Sequence, residues 1–364
     1  MPANSAASPR SAPQEREDRN WPAQRSWWRK PLVWVGFALS GLALVTFVAL
    51  FDVLWVWRSL LQLEVGHLLL AVALFLGSYM VRSLRWMLLL RPLGRYPFGQ
   101  VRDVLLTGFM VNNLLPVRAG ELARALVLWR VAGASRRGSL ATVGVERLFD
   151  GMVLVGLLTL VGWLFDVPPW IGRAGRITTV VLAALGTVTI WLAHAHHSLL
   201  WVIERLLFFL PGRARRRVMS FIERFVDGTA ILRSPALTGA VLALSLVVWA
   251  MELTLYLVMM RGFGIAAPLW VAAITLVATN FGIAVPSAPG HLGVYEAACS
   301  GALIAVGVDK ERALSYAIGL HLMMFVCITG SGLLLMWRLG LRLRDVTGSP
   351  PQSPTDSCRP TTEL

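Results

Sequence analysis

The chain has 364 residues, 56% of them hydrophobic and only 15% charged, with a mean hydropathy of +0.64. A soluble domain is nearer ~45–50% apolar, and here the apolar residues fall in long runs, which argues against a soluble enzyme and for a polytopic membrane protein. The 34 Lys+Arg against 20 Asp+Glu gather at the ends of those runs without forming a nucleic-acid motif, so no nucleic-acid partner is expected.

The first thirty residues, rich in Pro, Ser and Ala with mixed charges at 15–19, have the composition of a disordered cytoplasmic segment. The apolar run at about 32–57 lacks the short core and small-residue cleavage site of a signal peptide, so it is expected to be a retained anchor. Five further runs are long enough to cross, at about 66–83, 139–165, 177–193, 237–260 and 313–337. Two more stretches are interrupted. Residues 104–130 are broken at Asn112, Asn113 and Pro116, and residues 269–307 at Pro286, Pro289, Gly290 and Gly293. Arms of roughly 12–17 residues are too short to cross alone, so each stretch is expected to be a re-entrant helical hairpin. After the fourth span come His194, His196 and His197, an interfacial basic patch rather than a metal site, since no acid or cysteine accompanies them closely. Segments 199–210 and 218–232, joined by the arginine run at 213–217, have the pattern of amphipathic helices. Together 195–235 is expected to lie on the cytoplasmic surface against anionic lipid. The stretch 341–364, rich in Pro, Ser and Thr, reads as a disordered tail. Cys299, Cys327 and Cys358 are far apart and read as free thiols.

Charge gives the expected topology. One block, Arg25, Arg29 and Lys30, precedes the first span, and Arg82, Arg85, Arg91, Arg95 and Arg102 follow the second. Arg130, Arg136 and Arg137 follow the first hairpin, a long arginine-rich block occupies 205–233, and Arg338, Arg342 and Arg344 follow the last span. All fall on the cytoplasmic side only if both interrupted stretches return to the face they entered. Arg173 and Arg176 are the exception. Both termini are then cytoplasmic in a cell inner (plasma) membrane. The order span, span, hairpin, span occurs twice with opposite orientation, about 32–165 and about 177–338, within a transmembrane domain of about 31–340. The expected fold is therefore all-α, with six spanning helices and two re-entrant hairpins in an inverted-topology repeat, a layout of secondary transporters.

The polar residues inside these runs are the candidate site. Around the first break, Asn112, Asn113, Pro116, Arg118, Gly120, Glu121 and Arg124 offer free helix ends and two cations, which suits a phosphate. Pairing of Arg118 with Glu121 at i, i+3 is the bland alternative. Glu146 and Asp150 share a helix face at i, i+4 near the start of the third span, with Arg147 three residues before Asp150, and this cluster can order the first hairpin by pairing with Arg118 or Arg124. Around the second break, Asn280, Pro286, Pro289, Gly290, Gly293 and Glu296 supply backbone breaks and one acid. Glu252 and His321, each inside an apolar run, form a possible proton path. The first break is expected to take the headgroup phosphate and the second to be the moving or gating half. No catalytic motif and no nucleotide-binding glycine loop is present, so no cofactor is expected.

Four ordered motifs, Arg82-x-x-Arg85-Trp86, Asn-Leu-Leu-Pro-x-Arg-x-Gly-Glu at 113–121, Glu-Arg-x-x-Asp at 146–150 and Pro-x-x-Pro-Gly-x-x-Gly-x-x-Glu at 286–296, resemble the lysylphosphatidylglycerol synthase transmembrane-region family of flippase-like proteins. The resemblance covers about 30–340. It implies a lipid-handling membrane domain that moves a phospholipid between leaflets. The residues after 340 leave no room for the soluble aminoacyl-transfer domain of the synthases, so translocation or binding is expected rather than synthesis. Three readings stand: a translocase for a phospholipid or polyprenyl-phosphate-linked lipid, a membrane enzyme on a lipid-linked substrate using Glu121, Glu146 or Glu296 as base, and a proton-coupled solute transporter.

Overall fold

The computed structural model describes Arg58, residues 63–115, 119–194, Gly212, and residues 234–284 and 287–341. The expected anchor at 32–57, nearly all of 195–235, both tails, and Pro116, Arg118 and Pro286 lie outside the described residues. Within them the fold is all-helical. The helices are α1 (Val65–Leu89), α2 (Phe98–Leu114), α3 (Ala119–Ala132), α4 (Arg136–Leu164), α5 (Pro169–His194), α6 (Pro235–Gly262), α7 (Leu269–Gly282), α8 (Val294–Ala305) and α9 (Lys310–Arg338), with a 3-10 turn at Pro289–His291. Helices α1, α4, α6 and α9 are each long and apolar enough to cross a membrane. Helix α5, 26 residues long, contains the expected run 177–193.

The helix ends follow local chemistry. Ser135 Oγ accepts from Gly138 N at the start of α4, Ser234 Oγ from Leu237 N at the start of α6, and Asp309 from Arg312 N at the start of α9. The helix boundaries correct one part of the charge count. Helix α1 runs on to Leu89 instead of stopping near 83, because apolar residues continue until Pro92 breaks the chain. Arg82 and Arg85 therefore lie inside the bundle, buried, and not in a cytoplasmic basic block. Likewise Arg173 and Arg176 stand within the first turns of α5 rather than in a loop.

The surface is apolar and the interior holds charge. Leu69, Leu160, Ile177, Leu246, Val326 and Leu334 all face outward, more than half of each exposed. Arg82, Arg85, Arg124, Glu146, Asp150 and Glu252 are buried. This is the arrangement expected where lipid, not water, surrounds the bundle.

Helix α1 packs along α6, α4 along α5, α2 against both α3 and α9, and α7 against α8 and α4. Small residues set the closest approaches. A Cβ on Gly120 of α3 would collide with the Gly108 carbonyl oxygen and the Asn112 side chain of α2. Gly162 of α4 and Gly175 of α5 bring their backbones into direct contact, as small residues do in membrane helix packing. At 1.5 Å per residue, α2 and α3 span only about 25 and 21 Å, short of the ~30 Å hydrocarbon core.

Candidate functional site

Helices α1 and α6 face each other with matching polar stripes. On α1 these are Ser78, Arg82 and Arg85, at i, i+4 and i+7. On α6 they are Ser245, Trp249, Glu252 and Tyr256, at i, i+4, i+7 and i+11. Arg85 donates to Asp150 Oδ1 at 2.6 Å, to Glu146 Oε1 at 3.1 Å and to Ser245 Oγ at 2.8 Å. Arg82 donates to Glu252 Oε1 at 3.1 Å, and Ser78 Oγ donates to the same oxygen at 3.1 Å. Trp249 Nε1 donates to Asp150 at 3.2 Å. From the first hairpin, Arg124 donates to Glu146 Oε2 at 2.8 Å and lies over the Trp86 ring, 4.1 Å from its centre. Arg147 reaches Asp150 at 3.5 Å and Glu121 at 3.4 Å. Four guanidiniums and four carboxylates thus join α1, α3, α4 and α6. Charges held in this way at low dielectric satisfy one another, and an unmatched one would be costly.

The first hairpin is tied at its break. Asn112 Oδ1 accepts from Gly120 N at 2.7 Å, so the side chain ending α2 satisfies a free donor at the start of α3. Asn113 Nδ2 donates to Thr329 Oγ1 of α9 at 3.2 Å.

The second break contains left-handed backbone at Gly290 (φ 69°), His291 (φ 57°) and Gly293 (φ 82°). At Gly290 glycine is needed twice over. A Cβ there would be strained by φ and would stand 2.9 Å from the Phe325 ring. It would also stand 3.4 Å from the Asn113 carbonyl oxygen, so the two breaks touch. Glu296 Oε2 accepts from Gly293 N at 2.7 Å, capping α8, and its Oε1 pairs with His321 Nδ1 of α9 at 2.6 Å. The His321 ring stacks on Tyr295, centroids 4.1 Å apart. Tyr295 Oη in turn meets Tyr256 Oη at 3.3 Å.

Between the breaks lies a cavity of about 190 Å³. The first hairpin lines it with Asn112, Asn113 and Glu121, and the second with Asn280, His291 and Tyr295. Arg82, Arg147, Glu252 and His321 complete its polar wall, with Tyr79, Phe109, Trp249 and Phe325 among its aromatic residues. Its volume is below the ~300–1,000 Å³ of pockets that enclose a drug-sized ligand. It suits a small polar headgroup, with the remainder of a ligand outside.

The structure therefore brings together most of the residues singled out in sequence. Asn112, Asn113, Glu121, Arg147, Asn280, Glu252 and His321 line one cavity. Glu296 supports that wall from behind through His321. Gly120, Pro289, Gly290 and Gly293 shape the breaks. Arg124, Glu146 and Asp150 lie in the buried network, where Arg124 is committed to Glu146 and is not among the lining residues. Glu252 and His321 share the cavity, yet each pairs with a different group, Arg82 and Glu296. Arg82 and Arg85 were not chosen as site residues from sequence, although their i, i+3 spacing and the Ser78 stripe within an apolar helix were visible there.

The similarities of the chain agree with this architecture. It is 26% identical over 304 residues to a UPF0104 membrane protein of Methanothermobacter thermautotrophicus, covering 81% of this chain and 90% of that protein. It is 25% identical over 335 residues to a protein named glycosyltransferase AglD of Haloferax volcanii, covering 81% of this chain but only 54% of that longer protein. No solved structure matches the chain. Residues 33–332, which include both breaks and every member of the buried ion network, match the family described as the lysylphosphatidylglycerol synthase TM region, and the chain is a membrane protein belonging to that family.

Proposed function

We propose that the protein binds the phosphate-bearing headgroup of a membrane lipid in the cavity between the two breaks and carries it between leaflets, leaving the tails in the bilayer. One observation carries this reading. A cavity whose wall sets two guanidiniums, Arg82 and Arg147, among aromatic side chains is lined by both broken segments inside a bundle whose long helices turn apolar side chains outward. A lipid has this same division between a polar head and apolar tails.

The rest of the reading is consistent with that cavity. In the proposed topology, six helices span and α2–α3 and α7–α8 re-enter from opposite faces as the equivalent parts of an inverted repeat, with both termini cytoplasmic. Support comes from the short arms, from the contact of the two breaks at Gly290 and Asn113, and from a reciprocal packing pattern. Helix α2 packs on α9, the last helix of the other half, and α7 packs on α4, the last helix of the first half. Rocking of one half against the other would then alternate access. Arg118, expected from the sequence to bind phosphate, lies outside the described residues.

A membrane enzyme acting on a lipid-linked substrate is the second reading, favoured by the name of the Haloferax relative. Because the chain spans about half of that relative, the named activity can reside in the unmatched half. Two of the three candidate acids, Glu146 and Glu296, are also poorly placed as bases. Both oxygens of Glu146 hold guanidinium protons, and those of Glu296 hold His321 and Gly293 N.

The test is lipid movement. Vesicles containing the purified protein and a fluorescent phosphatidylglycerol are treated with a membrane-impermeant quencher. The fraction quenched is expected to exceed one leaflet's share with the wild type and to stay at one leaflet's share in protein-free vesicles. No acceleration for phosphatidylglycerol or for a polyprenyl phosphate would overturn the reading.

A further inference from the structure

Resting on that reading, we infer that Arg147 is the guanidinium that takes the ligand's phosphate, and that Glu121 occupies the phosphate's place until the ligand arrives. The reasoning begins with charge. Among the described residues, the network holds Arg82, Arg85, Arg124 and Arg147 against Glu121, Glu146, Asp150 and Glu252. It is balanced, four against four. A phosphate oxyanion entering such a site leaves an unmatched negative charge at low dielectric unless one carboxylate gives up its cation.

The geometry selects which carboxylate leaves. Glu146 and Asp150 lie beneath the arginines and do not line the cavity. Two ion pairs do line it: Arg82–Glu252 and Arg147–Glu121. The first is a 3.1 Å contact between side chains that are each 8% exposed, and Ser78 also holds Glu252. Releasing Glu252 would strand a buried carboxylate. The second is a 3.4 Å contact between side chains 36% and 27% exposed. The Arg147 atom that faces Glu121 Oε1 is the buried Nε, and the two make an ion pair without a hydrogen bond. Glu121 is the more exposed of the two carboxylates that line the cavity, so displacing it strands less buried charge than displacing Glu252. A phosphate oxygen, unlike the carboxylate in its present position, can approach the Nε–Nη edge of the guanidinium in the two-point geometry that Arg prefers.

The exchange has a mechanical consequence. Glu121 is in the first turn of α3 and Arg147 is on α4. Loss of their pair loosens the cavity end of α3, while Arg124, one turn further along, remains tied to Glu146 at 2.8 Å. The ligand therefore replaces an internal anion and in the same step removes one of the two ties on the cavity end of α3, leaving the Asn112–Gly120 hydrogen bond. Arg124 becomes the fixed point about which that turn moves.

Binding to the full-length protein in dodecyl maltoside, a detergent without phosphate, tests this. Two probes are titrated: dihexanoyl phosphatidylglycerol and glycerol 3-phosphate. Removing the competitor with Glu121→Gln is expected to tighten lipid binding by about 1.5- to 5-fold, the range of a partly exposed ion pair. Arg147→Gln is expected to weaken it by at least about tenfold. In the wild type, saturating lipid is expected to speed amide exchange in the first turn of α3 and not in α4. This last measurement stands even if Glu121→Gln fails to fold. Wild-type lipid binding with no gain in Glu121→Gln, or with unchanged α3 exchange, would overturn the exchange while leaving the translocase reading in place. No binding of either probe to any of the three proteins would overturn both. A gain seen with glycerol 3-phosphate and no binding of the lipid would support the anion exchange and overturn the lipid as its source.

Discussion

Among the described residues, Arg85 is the guanidinium with the most carboxylate and hydroxyl partners. It is fully buried and contacts Asp150, Glu146 and Ser245 at 2.6, 3.1 and 2.8 Å. Replacing it by Met keeps the apolar stem and deletes the charge. The network then holds three cations against four carboxylates. Glu146 retains Arg124, and Asp150 retains Trp249 and the long contacts to Arg147 and Arg82 at 3.5 and 3.9 Å. Breaking a buried pair by removing one partner costs about 3–5 kcal/mol, chiefly because the survivor stays buried. At roughly 2–4 °C per kcal/mol for larger chains, Arg85→Met is expected to lower the melting temperature in detergent by on the order of 10 °C. The second substitution gives the reasoning its force. Adding Asp150→Asn restores three cations against three carboxylates and leaves a neutral side chain beside Trp249. The double variant is expected to recover at least half of the loss. Tryptophan fluorescence during a thermal ramp, with size-exclusion chromatography as a check on folding, measures both. A single variant within about 1 kcal/mol of wild type, or a double variant no more stable than the single, would refute a charge-balanced network.

Two further substitutions probe the scaffold. Gly120→Ala places a methyl against the Gly108 carbonyl and the Asn112 side chain; two packed backbones cannot yield as a flexible side chain does, so a loss of about 1–3 kcal/mol is expected, with faster proteolysis of the α2–α3 hairpin as the readout. Val326→Arg, at an outward position near the middle of α9 that is 58% exposed, is expected to cost about 2.5–3.5 kcal/mol of membrane insertion and to cut the membrane-integrated fraction, whereas Val326→Leu should leave it unchanged; equal yields for the two would show that this face does not meet lipid.

Sequence pattern carried much of the architecture and some of the site. Apolar runs located α4, α6 and α9 to within a few residues, since membrane helices are bounded by the loss of hydrophobicity and little else. The breaks were legible because Pro and Gly act locally. Glu252 was legible because an acid in an apolar run stands out. Arg82 and Arg85 are illegible for the opposite reason. Lying near the end of an apolar run, they have the same composition as a cytoplasmic flank, and only a partner on another helix distinguishes the two. Asp150 is 65 residues from Arg85 and Glu252 is 170 from Arg82, and such pairings are not written in local spacing. The commitment of Arg124 to Glu146 was foreseen as one option. Its consequence, that Arg124 is unavailable to a headgroup, depends on burial, which a single sequence does not give.

If the protein carries lipid as proposed, the network limits what can move. Arg85 joins α1 to α4 and α6, Arg82 joins α1 to α6, and Arg124 joins α3 to α4. Sliding α1, α4 or α6 past one another would separate several buried charges at about 3–5 kcal/mol each. That exceeds what differential binding of one headgroup can supply, since allosteric couplings are typically about 1–3 kcal/mol. The rearrangement must therefore fall on elements held by weaker ties. On the first hairpin only the cavity-side turn of α3, held by the Glu121–Arg147 pair and the Asn112 cap, meets that condition. On the second, α8 is fastened to α9 by the Glu296–His321 pair and entered through three left-handed residues, while α7 meets α4 without an ion pair among the described residues. The asymmetry gives an energetic basis for the proposed division of labour. On the proposed reading, α1, α4 and α6, joined across the two halves by Arg82 and Arg85, form the fixed frame, and the cavity-side turn of α3 together with α7 and α8 is the part free to move.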